Sequence, residues 1–160
     1  MTKIFTDGST LTAEDVNEYL NEGLLSAVAY TPTLLVNSGS APAPASAVGA
    51  YVEIGALVVW TATISLGSSG YGTGTLYRIT LPPPEASEVR WSGDGIFRDA
   101  SNNRSYPISW ERLDVGPGVL LRVDPSVAGG ELRSMTPTLP VAWGNGDTIT
   151  VYGYYLKAAA

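Results

Sequence analysis

From Leu57 to Leu66 the chain reads LVVWTATISL, and every second side chain (Val58, Trp60, Ala62, Ile64, Leu66) is apolar. Val59, Thr61, Thr63 and Ser65 stand between them. A period of two belongs to a strand with one buried face, whereas a helix repeats at about 3.6 residues. This stretch therefore commits the chain to a sheet. The pattern recurs at Tyr77, Ile79 and Leu81 against Leu76, Arg78 and Thr80, and at Ile108 and Trp110 with Arg112. It recurs again at Val119, Leu121 and Val123, and at Ile149, Val151 and Tyr155 opposite Tyr152, Tyr154 and Leu156. GIFRD and EVRW are shorter candidates. Gly55 marks a hairpin turn or bulge after YVEI, and GSSGYGTG reads as the loop of a long hairpin closed at Pro82–Pro84. Modest strands divided by Gly, Pro and Asn predict a mainly β fold, an antiparallel, jelly-roll-like β-sandwich. Strands do not alternate with helices, so a doubly wound fold is disfavoured.

One helix is expected, at the start. In FTDGSTLTAEDVNEYLNEGLLSA, Thr12 is a good N-cap with Asp15 three residues on, and Leu11 and Val16 occupy the positions of a hydrophobic staple. Val16, Tyr19, Leu20 and Leu24 form one apolar stripe. A helix this short is marginal alone, so its stripe packs either on its own domain or on neighbouring chains. The reading divides the chain into a helical segment over 1–29 and a β-sandwich over 30–160. Thr31–Val36 is a first strand, and the Ala/Pro/Ser-rich stretch 38–49 is a linker or loop.

Composition narrows the chemistry. The 160 residues contain neither cysteine nor histidine. Disulfides, thiolate metal sites, Ser-His-Asp and Cys-His catalysis and an HExxH zinc site are thereby excluded. The net charge is −6, and seven of the nine basic residues are arginines scattered from Arg78 to Arg133. No cationic cluster is present to displace counterions from nucleic acid. The glycine-rich GSSGYGTG precedes a strand and has no nearby lysine, so it is not a phosphate loop. Asp94, Asp99, Asp114 and Asp124 lack EF-hand spacing and read as turn formers, and no cofactor is expected. Glu85, Glu88, Asp94 and Glu111 could pair as glycosidase carboxylates but read better as solvated loop charges, so no enzyme is expected. The first ten residues lack a secretory core, and no apolar run reaches bilayer length. A chain made in the cytoplasm, without membrane insertion, is expected.

Two surfaces stand out. Several strands are apolar on both faces, which points to a subunit interface at Leu57, Val59, Leu120, Tyr152 and Tyr154. Loop aromatics can stack on sugar rings, which makes Trp91 and Trp143 candidate glycan contacts.

The opening FTDGSTLTAEDVNEYL resembles the N-terminal segment of tailed-bacteriophage virion proteins, especially minor tail or fibre-type proteins of phages infecting actinobacteria. YTPTL, Tyr51, Ile54-Gly55, Val58-Val59 and GTGTLYRITLPP are similar to the phrases that follow there, so the likeness covers roughly residues 5 to 83. The closing GDTITVYGYYLKA more distantly resembles the last strand of trimeric tumour-necrosis-factor-like jelly rolls. The resemblance implies a homotrimeric virion component that contacts other virion proteins, with Leu11, Val16, Tyr19, Leu20 and Leu24 forming the attachment helix. A capsid decoration protein or head fibre is one alternative. A carbohydrate-binding module for host cell-wall glycans is another.

Overall fold

The computed structural model describes residues 26–39, 41–68, 75–83, 91–112, 118–124 and 132–158. The expected helix, with Leu11, Val16, Tyr19, Leu20 and Leu24, lies outside these residues. Ten strands are described: β1 (Val28–Tyr30), β2 (Leu34–Leu35), β3 (Pro44–Ile54), β4 (Leu57–Leu66) and β5 (Arg78–Ile79), then β6 (Ser92–Asp99), β7 (Arg104–Glu111), β8 (Val119–Val123), β9 (Arg133–Ser134) and β10 (Thr148–Leu156). All pair antiparallel in one sheet of order β1-β3-β4-β10-β6-β7-β8-β5-β2, with β9 also on β8. The fold is thus mainly antiparallel β.

The expected pair of facing sheets is replaced by a single curled sheet, a half-barrel. The reason is topological. β1 and β2 are the two ends of the sheet order, yet only residues 31–33 separate them. The chain from Tyr30 to Leu34 spans at most about 14 Å, so the two edges must curl toward each other.

Three other expectations are corrected. The strands flanking GSSGYGTG do not pair: both sides of β4 are taken by β3 and β10, while β5 lies between β2 and β8. The small-residue stretch is not a linker throughout, because from Pro44 onward it is strand β3, with a register shift between Pro44 and Ser46. Its lack of bulk is used: a Cβ at Gly49 would run into the Tyr30 ring lying across it from β1. The sheet also takes in Val28 and Ala29, ahead of the expected boundary at Tyr30.

The concave face holds the core. Val58, Trp60, Ala62, Ile64 and Leu66 of β4 are buried, as their alternation requires, beside Ile149, Val151 and Tyr155 of β10. Trp60 and Trp110 pack with ring centroids 5.3 Å apart. β10 is the last strand in sequence but central in space, matched over nine positions with β4 and five with β6. Buried Asp147 fixes its start: Oδ1 accepts from Ala100 N (2.9 Å) and Oδ2 from Gly144 N (2.6 Å). In the β6–β7 turn, Asp99 Oδ1 accepts from the Ser101 hydroxyl and amide. The hydroxyl bond, aided by further bonds from Ser101 and Asn102, holds the Asp99 carboxyl below its ordinary pKa.

Candidate functional site

The convex face carries the candidate sites, and the strand registers arrange its side chains into rows. Two rows are apolar throughout: Ile54–Leu57–Leu156 and Val52–Val59–Tyr154, each running across β3, β4 and β10. Alternation makes them outward, since Val58, Trp60 and Tyr155 between them point into the core. Val59 is 43% exposed and Ile54 and Leu156 are also exposed. Neighbours in such rows stand about 4.5–5.5 Å apart, so the six form one patch rather than scattered residues.

The expected interface residues divide here. Leu57 and Val59 lie in the patch, and Tyr154 sits at its border. Leu120 does not belong to it: its own chain leaves it only 2% exposed, so no second copy is required to cover it. Tyr152 belongs to the next row, which reads Thr61–Tyr152–Asp94–Ser109–Arg122–Ser134 from β4 to β9.

That polar row is one wall of a groove. The ladder between β10 and β6 ends at Tyr152↔Asp94, although both strands run on. Past that pair the Tyr152 carbonyl accepts instead from Trp110 Nε1 at 2.9 Å. Gly153 and Gly93 flank the gap, and a Cβ on either would collide with the Trp110 ring beneath. The two strands part there because an indole takes the place of their next backbone bonds. The groove has a volume of about 560 Å³, and Tyr152, Tyr154, Asp94, Ser109, Glu111 and Arg122 line it. Tyr152 and Tyr154 are 45% and 56% exposed. Arg122 is fixed by Glu111, with Nε donating to Oε1 at 2.6 Å, and by the Ser134 hydroxyl at 3.0 Å.

The two tryptophans proposed for glycan stacking have other positions. Trp143 is buried at 4% exposure, stacked on Phe97 (5.9 Å) and tilted on Tyr77 (4.7 Å), so its ring belongs to the core. Trp91 is half-buried and meets Tyr154 edge to face at 6.2 Å, which orients the tyrosine at the groove. Of the four acidic residues considered as a carboxylate pair, Asp94 and Glu111 reach this groove, while Glu85 and Glu88 lie outside the described residues. Glu111 Oε1 is already occupied by Arg122. Sequence reasoning missed Ser109 and Arg122, because only the register of β7 and β8 brings them beside β10. The available signal was glycine: GDG at Gly93–Gly95 and YGY at Tyr152–Tyr154 place a bare backbone position beside a polar or aromatic side chain.

Among the described residues, no group of three or more acidic side chains is gathered closely enough to hold a metal ion. No family model, curated protein or solved structure matches the chain.

Proposed function

We propose that this chain is a non-enzymatic structural protein of a tailed-phage virion, a homotrimeric minor tail or fibre component. In this reading a displayed β domain is attached through a helix bearing Leu11, Val16, Tyr19, Leu20 and Leu24. One observation carries the assembly part: the two outward apolar rows, Ile54–Leu57–Leu156 and Val52–Val59–Tyr154. A sheet that faces water usually alternates apolar with polar residues, and here one end of the convex face does not. Burying a large apolar side chain is worth about 1.5–3 kcal/mol, so four left exposed, Ile54, Val59, Tyr154 and Leu156, with Val52 and Leu57 half-covered, forgo a sizeable stabilisation. Packing identical copies recovers much of it, less the cost of association. The phage assignment is supported by the resemblance of the opening and central phrases to virion proteins.

The test has two arms. Removing residues 1–25 leaves a folded β domain that no longer enters particles; normal incorporation of the truncated chain would contradict the attachment role. Labelling the full chain in intact particles and locating it by electron microscopy assigns it to tail or capsid.

A further inference from the structure

We infer that the groove between β10 and β8 binds a neutral oligosaccharide, with Tyr152 and Tyr154 as the stacking platform and Asp94 and Ser109 as hydroxyl partners. The groove adjoins the apolar rows at Tyr154, but Tyr152, Asp94 and Ser109 lie outside those rows, so the inference does not rest on the assembly reading.

The shape of the site comes first. Tyr152 and Tyr154 are two residues apart on one strand, so their bases are about 7 Å apart along it. Two ring-bearing positions in line along one strand define an elongated platform. A cage around a quaternary ammonium requires rings converging on one point, which this arrangement does not supply. The groove volume of about 560 Å³ lies within the roughly 300–1,000 Å³ usual for small-ligand sites.

Polarity then selects the ligand. Register places Asp94 beside Tyr152, with Ser109 next on β7. A carboxylate accepts from two hydroxyls at once, and a serine both donates and accepts, which suits a polyol. Apolar C–H faces lie on aromatic rings while hydroxyls meet these polar atoms. The charge balance disfavours anions: Arg122 is spent on Glu111, which leaves Asp94 as the uncompensated charge among the described residues that line the groove. A peptide adding as a strand needs a sheet edge, and this groove lies in the middle of the sheet.

The experiment titrates the full chain by calorimetry and ligand-observed NMR with four probes: cellotetraose, chitotetraose, an oligogalacturonate of equal length and tetramethylammonium chloride. The inference expects a neutral tetrasaccharide to bind. Tyr152→Ala and Asp94→Asn should each lower its affinity about tenfold, the loss of one aromatic or charged contact. Tyr152→Phe, which keeps the ring, should retain most of the affinity. All three side-chain changes lie on an exposed face, and an unchanged thermal midpoint verifies folding. Failure of both neutral probes to bind would overturn the inference. So would preference for the galacturonate or the ammonium ion, binding indifferent to Tyr152→Ala and Asp94→Asn, or cleavage of the bound sugar.

Discussion

Gly153 and Trp110 define one another. The indole fits under the sheet only because Gly153 and Gly93 carry no Cβ, and its N–H then takes up the carbonyl of Tyr152. Gly153→Ala therefore forces Trp110 aside and should cost about 1–3 kcal/mol, as overpacking of a filled core does. Chemical denaturation measures it; an unchanged midpoint would show that the ring has room to move. The same strand directs Tyr155 inward, where its hydroxyl donates to Pro82 O at 2.6 Å. Burial raises the pKa of Tyr155 and of Tyr30 well above the ordinary tyrosine range, with smaller contributions from the Tyr155 phenol at Tyr30 and from Tyr51 and Glu53 at Tyr155, where Arg112 opposes them. The sign follows directly: the unfolded chain ionises these phenols near the ordinary pKa of about 10, while the folded chain keeps them neutral. Their contribution is complete below that pH and declines as pH rises toward the folded pKa. Ultraviolet titration should place Tyr30 and Tyr155 among the tyrosines that ionise late, together with alkaline unfolding. Ionisation of every tyrosine in one step near pH 10 would contradict their burial.

At the scale of elements, the sequence revealed strands far better than their partners. LVVWTATISL and TITVYGYYL fall where the alternation placed them, with the predicted faces inward, because periodicity is a local property of burial. Pairing is not local. Nothing near GSSGYGTG indicates that Leu57–Leu66 prefers the C-terminal strand to the strand that follows, since that choice depends on long-range packing. The same limit hid the groove: Asp94 and Glu111 were visible as carboxylates, but their convergence with Tyr152 arises from register alone. Trp143 misled for a related reason, because a loop position in sequence can still project its ring between Tyr77 and Phe97. Placing the last strand at the centre also makes its anchor important. Asp147 satisfies two backbone amides, so Asp147→Ala leaves both without their acceptor and should destabilise the fold by about 1–3 kcal/mol for each that stays buried. Loss of amide-exchange protection should be greatest at Ala100 and Gly144; uniform loss along β10 would show that the carboxylate is not a local clamp.

Over the whole molecule, the curled sheet separates two tasks. Its concave face is occupied by aromatic and aliphatic packing, which leaves the convex face free to vary. One part of that face presents the apolar rows, and beside them, sharing Tyr154, lies a polar groove with two tyrosines at its rim. Substitutions away from the shared Tyr154 should be separable: Tyr152→Ala changes ligand binding and leaves assembly intact, while a charge at Ile54, Leu57, Val59 or Leu156 does the reverse.

The central claim is that copies of the chain meet through Ile54, Leu57, Val59 and Leu156. Sedimentation equilibrium of the purified full chain, alone and with Val59→Lys, tests it directly. The account predicts three chains for the native protein and one folded chain for the lysine variant. A native protein that sediments as a single chain, or a variant that still assembles as three, would contradict it.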